Sequence, residues 1–242
     1  MVAGPRLVSC GLGLCLMLLL LLTACGGSDS DATTLGAGRR QALEAGRYIL
    51  DLVARDKDGT GPAQLPKIEI TVPEGWFNFD GWGLGKSEQL TTAVSFWSVE
   101  SVYGTPCEWM SQAMVDPGTD VDSLASALAG QPLRHATSPR DVDLAGMSGK
   151  FLEWSVPTDI AFDEAHKAKA LFPDCDEQTF QSWTANGWNS DRFQQGPGQV
   201  DRLWILDVNG ERLVVDAYYL PETSGEDRAE LETVVQSIRF LD

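Results

Sequence analysis

The sequence predicts an α+β fold, with a mainly antiparallel sheet and helices packed on its faces. Three observations predict it. Residues 67–72 (KIEITV) alternate apolar and polar side chains, the period of a half-buried strand. Asn209-Gly210 joins two apolar runs as the residue pair favoured in a type I′ hairpin turn. Ser224 and Asp227 form a capping box ahead of Leu231, Val234, Val235 and Ile238, an i, i+3, i+4, i+7 stripe.

The remaining elements follow in order. Arg47 to Val53 is rich in Tyr, Ile and Val and reads as a strand, with a short helix from Arg39 as the alternative. Gly59, Gly61, Pro62 and Pro66 break the next stretch into a loop, and Pro73 ends the strand after it. Thr92 to Val102 reads as one strand buried on both faces near its middle. Val121, Leu124, Ala125 and Leu128 recur at helical spacing after a cap at Thr119 or Asp120, with Gly130 as terminator. Ser148-Gly149 reads as a turn leading into a strand over 150–156. Residues 157–198 form a long excursion with a short helix expected around 162–170, and residues 238–241 read as a closing edge strand.

The chain has 18 Lys+Arg against 35 Asp+Glu, a net charge of -17, which repels phosphate backbones and argues against a nucleic-acid partner. With 43% hydrophobic and 22% charged residues it has the composition of a folded globule. Its two histidines, His135 and His166, are too few for a multi-histidine metal site, and neither a metal nor another cofactor is expected.

The N-terminus reads as an address. Arg6 precedes an apolar run from Leu7 to Leu22, followed by small residues, the order of a secretory signal. As a helix this run would reach roughly 24 Å, short of the roughly 30 Å hydrocarbon core. Leu22-Thr23-Ala24-Cys25 resembles a bacterial lipobox. That resemblance implies a diacylglyceryl group on the Cys25 thiol and cleavage after Ala24; the alternative is an ordinary cleaved signal in which Cys25 is incidental. The expected organisation is therefore a signal over 1–24, a lipidated Cys25 and polar tether over 25–44, and one domain over 45–242. Losing Arg6 leaves the mature chain one unit more negative than the full chain.

Cys10 and Cys15 leave with the signal and Cys25 carries the lipid, so Cys107 and Cys175 remain as an even pair. They are expected to bond to each other outside the cytosol, where disulfides persist; two unrelated buried thiols are the alternative. In the chain-entropy picture, closing so long a loop is worth roughly 4 kcal/mol.

Residues 70–76 (ITVPEGW), FWSV over 96–99, the Asn209-Gly210 hairpin with VVDAYY, and the closing helix before SIRF carry a wider resemblance. In these the chain resembles the actinobacterial exported lipoproteins of the Lpq kind and the PsbP/Mog1-like α/β/α sandwich. The resemblance spans residues 45–242 and implies accessory or binding roles rather than one activity; the long excursion departs from the smallest members of that fold.

No catalytic set is coherent. Gly146-Met147-Ser148-Gly149 lacks the spacing of a nucleophile elbow, so Ser148 reads as a turn residue. Asp56-Lys57-Asp58-Gly59 lacks the later ligands of a calcium loop. Asp116, Asp120 and Asp122 read as helix-entry carboxylates. Two acid clusters, Asp159/Asp163/Glu164 and Asp174/Asp176/Glu177, could serve a glycosidase or simply face solvent.

The aromatic residues of the excursion stand out: Phe180, Trp183, Trp188 and Phe193 lie among Gln181, Asn186, Asn189, Arg192 and Gln194. Rings beside amides can stack on sugars, which makes Trp183, Trp188 and Phe193 candidate ligand residues; a satellite core held by Cys175 is the alternative. The expectation is a non-enzymatic binding or accessory module, held to the extracytoplasmic face of the cell membrane by its lipid. Its partner would be an envelope glycan, lipid or protein. The alternative is a glycan-binding or glycan-hydrolysing protein that uses the excursion.

Overall fold

Strands whose side chains alternate must bury one face, and those apolar on both faces must be covered twice. The computed structural model describes residues 1, 4, 32–36, 40–52, 66–86, 90–163, 171–185 and 191–241. Cys25, nearly all of the signal, the 56–59 loop, His166, most of the helix expected around 162–170, and Trp188 lie outside them. The chain divides into two compact units, Met1–Ser30 and Asp31–Asp242, and every element below belongs to the second.

The first half carries β1 (Thr33–Leu35), β2 (Gln41–Ala42), β3 (Gly46–Leu50), β4 (Lys67–Val72), β5 (Trp76–Phe79), β6 (Gly83–Lys86), β7 (Thr92–Trp97) and β8 (Val99–Val102). The second carries α1 (Val121–Ala129), β9 (Arg140–Leu144), β10 (Met147–Ser155), β11 (Gln181–Ala185) and β12 (Asp191–Phe193). It closes with β13 (Val200–Val208), β14 (Glu211–Tyr219), α2 (Gly225–Gln236) and β15 (Arg239–Leu241).

Three sheets result: β1-β3-β4-β15, β2-β5-β6-β7-β14-β13-β10-β9, and β12-β11-β8. Among the described residues every pairing is antiparallel except β1 with β3.

The eight-stranded sheet lies between two cores. From one face Trp204, Leu206, Val215 and Ala217 join Leu50, Ile68 and Ile70 of the four-stranded sheet and Leu231, Val234 and Val235 of α2. From the other face Leu203, Ile205 and Val214 join Val102 and Trp183 of the three-stranded sheet and Leu124, Ala125 and Leu128 of α1. Each face is thus covered by a smaller sheet and one helix.

The local signals act as the chemistry requires. Ile68, Ile70 and Val72 are buried on one side of β4. Asp120 caps α1 by accepting the Ser123 N–H at 2.7 Å, and Ser224 caps α2 by accepting the Asp227 N–H at 3.0 Å. Asn209 and Gly210 take φ of 57° and 88°, turning β13 into β14.

The expected α+β class needs correction toward strand. The architecture is a β-rich sandwich of mostly antiparallel sheets, with two α-helices among the described residues. The reason is that segments read as loop and tether supply strands of their own. Thr33–Leu35 pairs with β3 and buries Leu35, so the fold begins inside the expected 25–44 tether. The excursion likewise supplies β11 and β12.

Two further corrections follow. The expected strand over 92–102 breaks at Ser98, where the chain passes from the large sheet to the small one. Ser148 and Gly149 lie inside β10 rather than in a turn; the turn is Ala145-Gly146, with φ of 54° and 83°. Gly149 is required by close approach, since a Cβ there would sit 2.0 Å from the Ile205 carbonyl oxygen. Gly149→Ala should therefore lose roughly 3 kcal/mol in urea unfolding, while the exposed neighbour Ser148→Ala should stay within about 0.5 kcal/mol of the native chain.

Candidate functional site

The excursion is fastened to the rest of the fold. Cys107 and Cys175 form a disulfide with an S–S distance of 2.04 Å and Cα atoms 4.4 Å apart. Around it the Asp176 N–H donates to the Cys107 carbonyl at 2.9 Å, and the Gln181 N–H donates to the Pro106 carbonyl at 2.8 Å. The Asp176 carboxylate accepts the Met110 N–H at 2.8 Å, so this member of the acid clusters closes a loop.

The aromatic residues do not assemble into one surface. Trp183 is 0% exposed: it lies edge-on to Trp97 at 5.6 Å and stacks on Trp154 at 5.8 Å between ring centres. Its ring faces are taken up by the core, which removes it from the candidate ligand set. Phe180 is equally buried, packed with Val156, Phe172 and Cys175 in a satellite core. Phe193 is 40% exposed on β12, and Trp188 lies outside the described residues. Buried rings in a polar stretch of sequence are explained by the second layer they join.

The residue beside Phe193 does more. Strand alternation sends Arg192 inward where Phe193 points out. Its guanidinium donates from Nε to Asp216 Oδ2 at 2.6 Å and from Nη2 to Asp201 Oδ1 at 2.7 Å, and Nη1 donates to the Phe193 carbonyl. Both aspartates are 0% exposed. Gln199 Nε2 donates to Asp201 Oδ1 at 2.8 Å. Burial by itself would lower Arg192, but Asp216 and Asp201 outweigh it and hold the guanidinium above its ordinary range.

Sequence reasoning passed over this cluster, although a signal existed. Asp201 and Asp216 share a strand parity with Leu203, Ile205 and Val214, so they are charges on the core face of apolar strands.

A second arginine borders the cluster. Arg134 donates from Nε to Gln131 Oε1 at 3.0 Å and from Nη2 to Ser182 Oγ at 2.6 Å. Its guanidinium lies 4.2 Å from the centre of the Trp154 ring and 4.6 Å from that of Phe180. Burial pushes it down to about 9.

An open concavity lies elsewhere, at one end of the large sheet. It encloses about 600 Å³ between the α1 N-terminus, strands β9 and β10 and the β13–β14 turn. Asp120, Asp122, Asp141, Glu211, Lys150 and Arg212 are among its lining residues. Lys150 Nζ bridges Asp141 at 2.5 Å and Asp122 at 3.0 Å. Arg212 donates to the Gly118, Asp120 and Val99 carbonyls at 2.7, 3.1 and 2.9 Å. The cations brace the walls and leave an acidic rim. Among the described residues no three His, Cys, Asp or Glu side chains are grouped to hold a metal ion.

Compared with models of known protein families the chain finds no match, and compared with curated proteins it finds none either. The chemistry of the site therefore rests on geometry alone. The geometry assigns Arg192 to holding sheets together and Phe193 to the surface. Arg192→Met should cost roughly 3–5 kcal/mol in chemical denaturation because it strands buried carboxylates, whereas Phe193→Ala should change stability by less than about 0.5 kcal/mol. Similar losses for both would refute the assignment.

Proposed function

We propose that the chain is a lipid-anchored extracytoplasmic protein acting as a non-enzymatic binding or accessory module of the cell envelope. The observation that carries this reading is the Cys107–Cys175 bond, which belongs in an oxidising compartment and agrees with the secretory pattern ending at Cys25. Two or three acyl chains on Cys25 would anchor firmly, since each buried CH₂ contributes roughly 0.8 kcal/mol.

Among the described residues no helix is long and apolar enough to cross a membrane.

The helices α1 and α2, placed on opposite cores, favour the finer PsbP/Mog1-like sandwich reading and with it a kinship to exported lipoproteins of the Lpq kind. The module's partner is an envelope protein, lipid or glycan. The glycan-hydrolysing alternative is weakened by the burial of Trp183 and by the structural engagement of Asp176.

Metabolic labelling with a fatty-acid analogue tests the anchor. The native chain should take up label and fractionate with membranes, and Cys25→Ala should do neither. Equal labelling of the two would end the proposal.

A further inference from the structure

One guanidinium holds two carboxylates that do not neutralise each other. Nε and Nη2 lie on the same edge of the Arg192 fork, an arrangement that ordinarily grips the two oxygens of a single carboxylate. Here one of those oxygens comes from Asp216 and the other from Asp201. The sheet register explains it: Asp201 pairs with Tyr218 and Leu203 with Asp216, so the aspartates are diagonal neighbours on one face. The other oxygens, Asp201 Oδ2 and Asp216 Oδ1, are buried and have no donor among the described residues. Because Nε and Nη2 are adjacent on one guanidinium edge, the two carboxyl groups they hold are brought side by side.

We propose that Asp201 and Asp216 share one proton and, with Arg192, form a proton-dependent latch that holds β12 against the large sheet. With the proton present the pair carries one negative charge, matched by Arg192. When the proton leaves to solvent base, two like charges remain side by side in the core on one guanidinium. The latch then opens by lifting β12, which lets water reach both carboxylates.

The surroundings set the direction. Arg192 faces the pair from β12, Tyr218 stands beside Asp216 on β14, and Ser95 lies opposite Asp216 on β7. Gln199 reaches Asp201 from the segment before β13. Arg134, the other nearby cation, donates to Gln131, to Ser182 and to the Gln181 carbonyl rather than to either carboxylate, and its charge acts on both aspartates through space. Burial raises Asp216 to about 7, the Asp201 charge adds to the rise, and Arg192 opposes it. A carboxyl raised in the closed state binds its proton more tightly there than in the open state. Closure is thus strongest at low pH and is lost progressively as pH climbs from the ordinary carboxyl range to that value.

Hydrogen–deuterium exchange of the whole chain tests the latch. After correction for the intrinsic base-catalysed rate, the opening constant for amides of 191–193 should rise about tenfold per pH unit between the ordinary carboxyl range near pH 4 and about pH 7, and level off above it. Asp216→Asn, which removes the raised carboxyl and leaves one buried charge for Arg192, should make that constant independent of pH. A flat native profile, or the native slope persisting in Asp216→Asn, would overturn the proposal. Infrared spectra of the unmodified protein give a check free of any folding defect in the variant. The C=O stretch of a protonated carboxylic acid should be present near pH 6 and absent near pH 9, and its absence near pH 6 would equally overturn the shared proton.

Discussion

Covering the strands β7, β14, β13 and β10 on both faces is the constraint from which the rest of the structure follows. A strand buried on one side can turn its polar residues to water, but one buried on both sides cannot. Asp201 and Asp216 stand in such strands and are wholly enclosed. Unpaired, each would cost several kcal/mol, so a cation must be brought in from a segment that has other reasons to be there. The excursion provides it. Arg192 is the inward residue of a three-residue edge strand, and its two partners come from the middle of the sheet.

The excursion is therefore attached by three different kinds of chemistry. A covalent bond joins Cys175 to the segment after β8. Buried ion pairs join β12 to β13 and β14. An amide network completes the seam, with Gln131 Nε2 donating to the Tyr103 and Ser182 carbonyls at 3.0 and 2.8 Å. These replace apolar burial where the three-stranded sheet is too small to bury much surface. The Trp97, Trp183 and Trp154 rings, the first edge-on to Trp183 and the last stacked on it, fill the space between.

What could be read from the chain were features written in neighbouring residues. KIEITV, Asn209-Gly210, the Asp120 cap and the Ser224/Asp227 box each need only a few positions to declare themselves. The disulfide yielded to elimination, because the other cysteines had earlier uses. Long-range choices were not legible. Thr33–Leu35 becomes a strand only because β3 offers a parallel edge. Ser148-Gly149 resembles a turn until the Ile205 carbonyl, 2.0 Å from any added Cβ, reveals a glycine kept for closeness. Trp183 sits among polar neighbours, and no local pattern says that a second sheet will close over it. The partners of Arg192 lie 9 and 24 positions away, beyond any periodicity.

The twin turns at one end of the large sheet have a consequence for the order of assembly. Asp143 accepts the Gly146 N–H at 3.0 Å, and Asp207 accepts the Gly210 N–H at 2.7 Å, so the same four-residue device shapes both reversals. Hairpins closed by such local devices zip in about 1–10 μs, whereas thiol oxidation takes seconds to hours. The covalent bridge between positions 107 and 175 is thus the final rivet, driven through plates that two quick folds of the chain have already aligned.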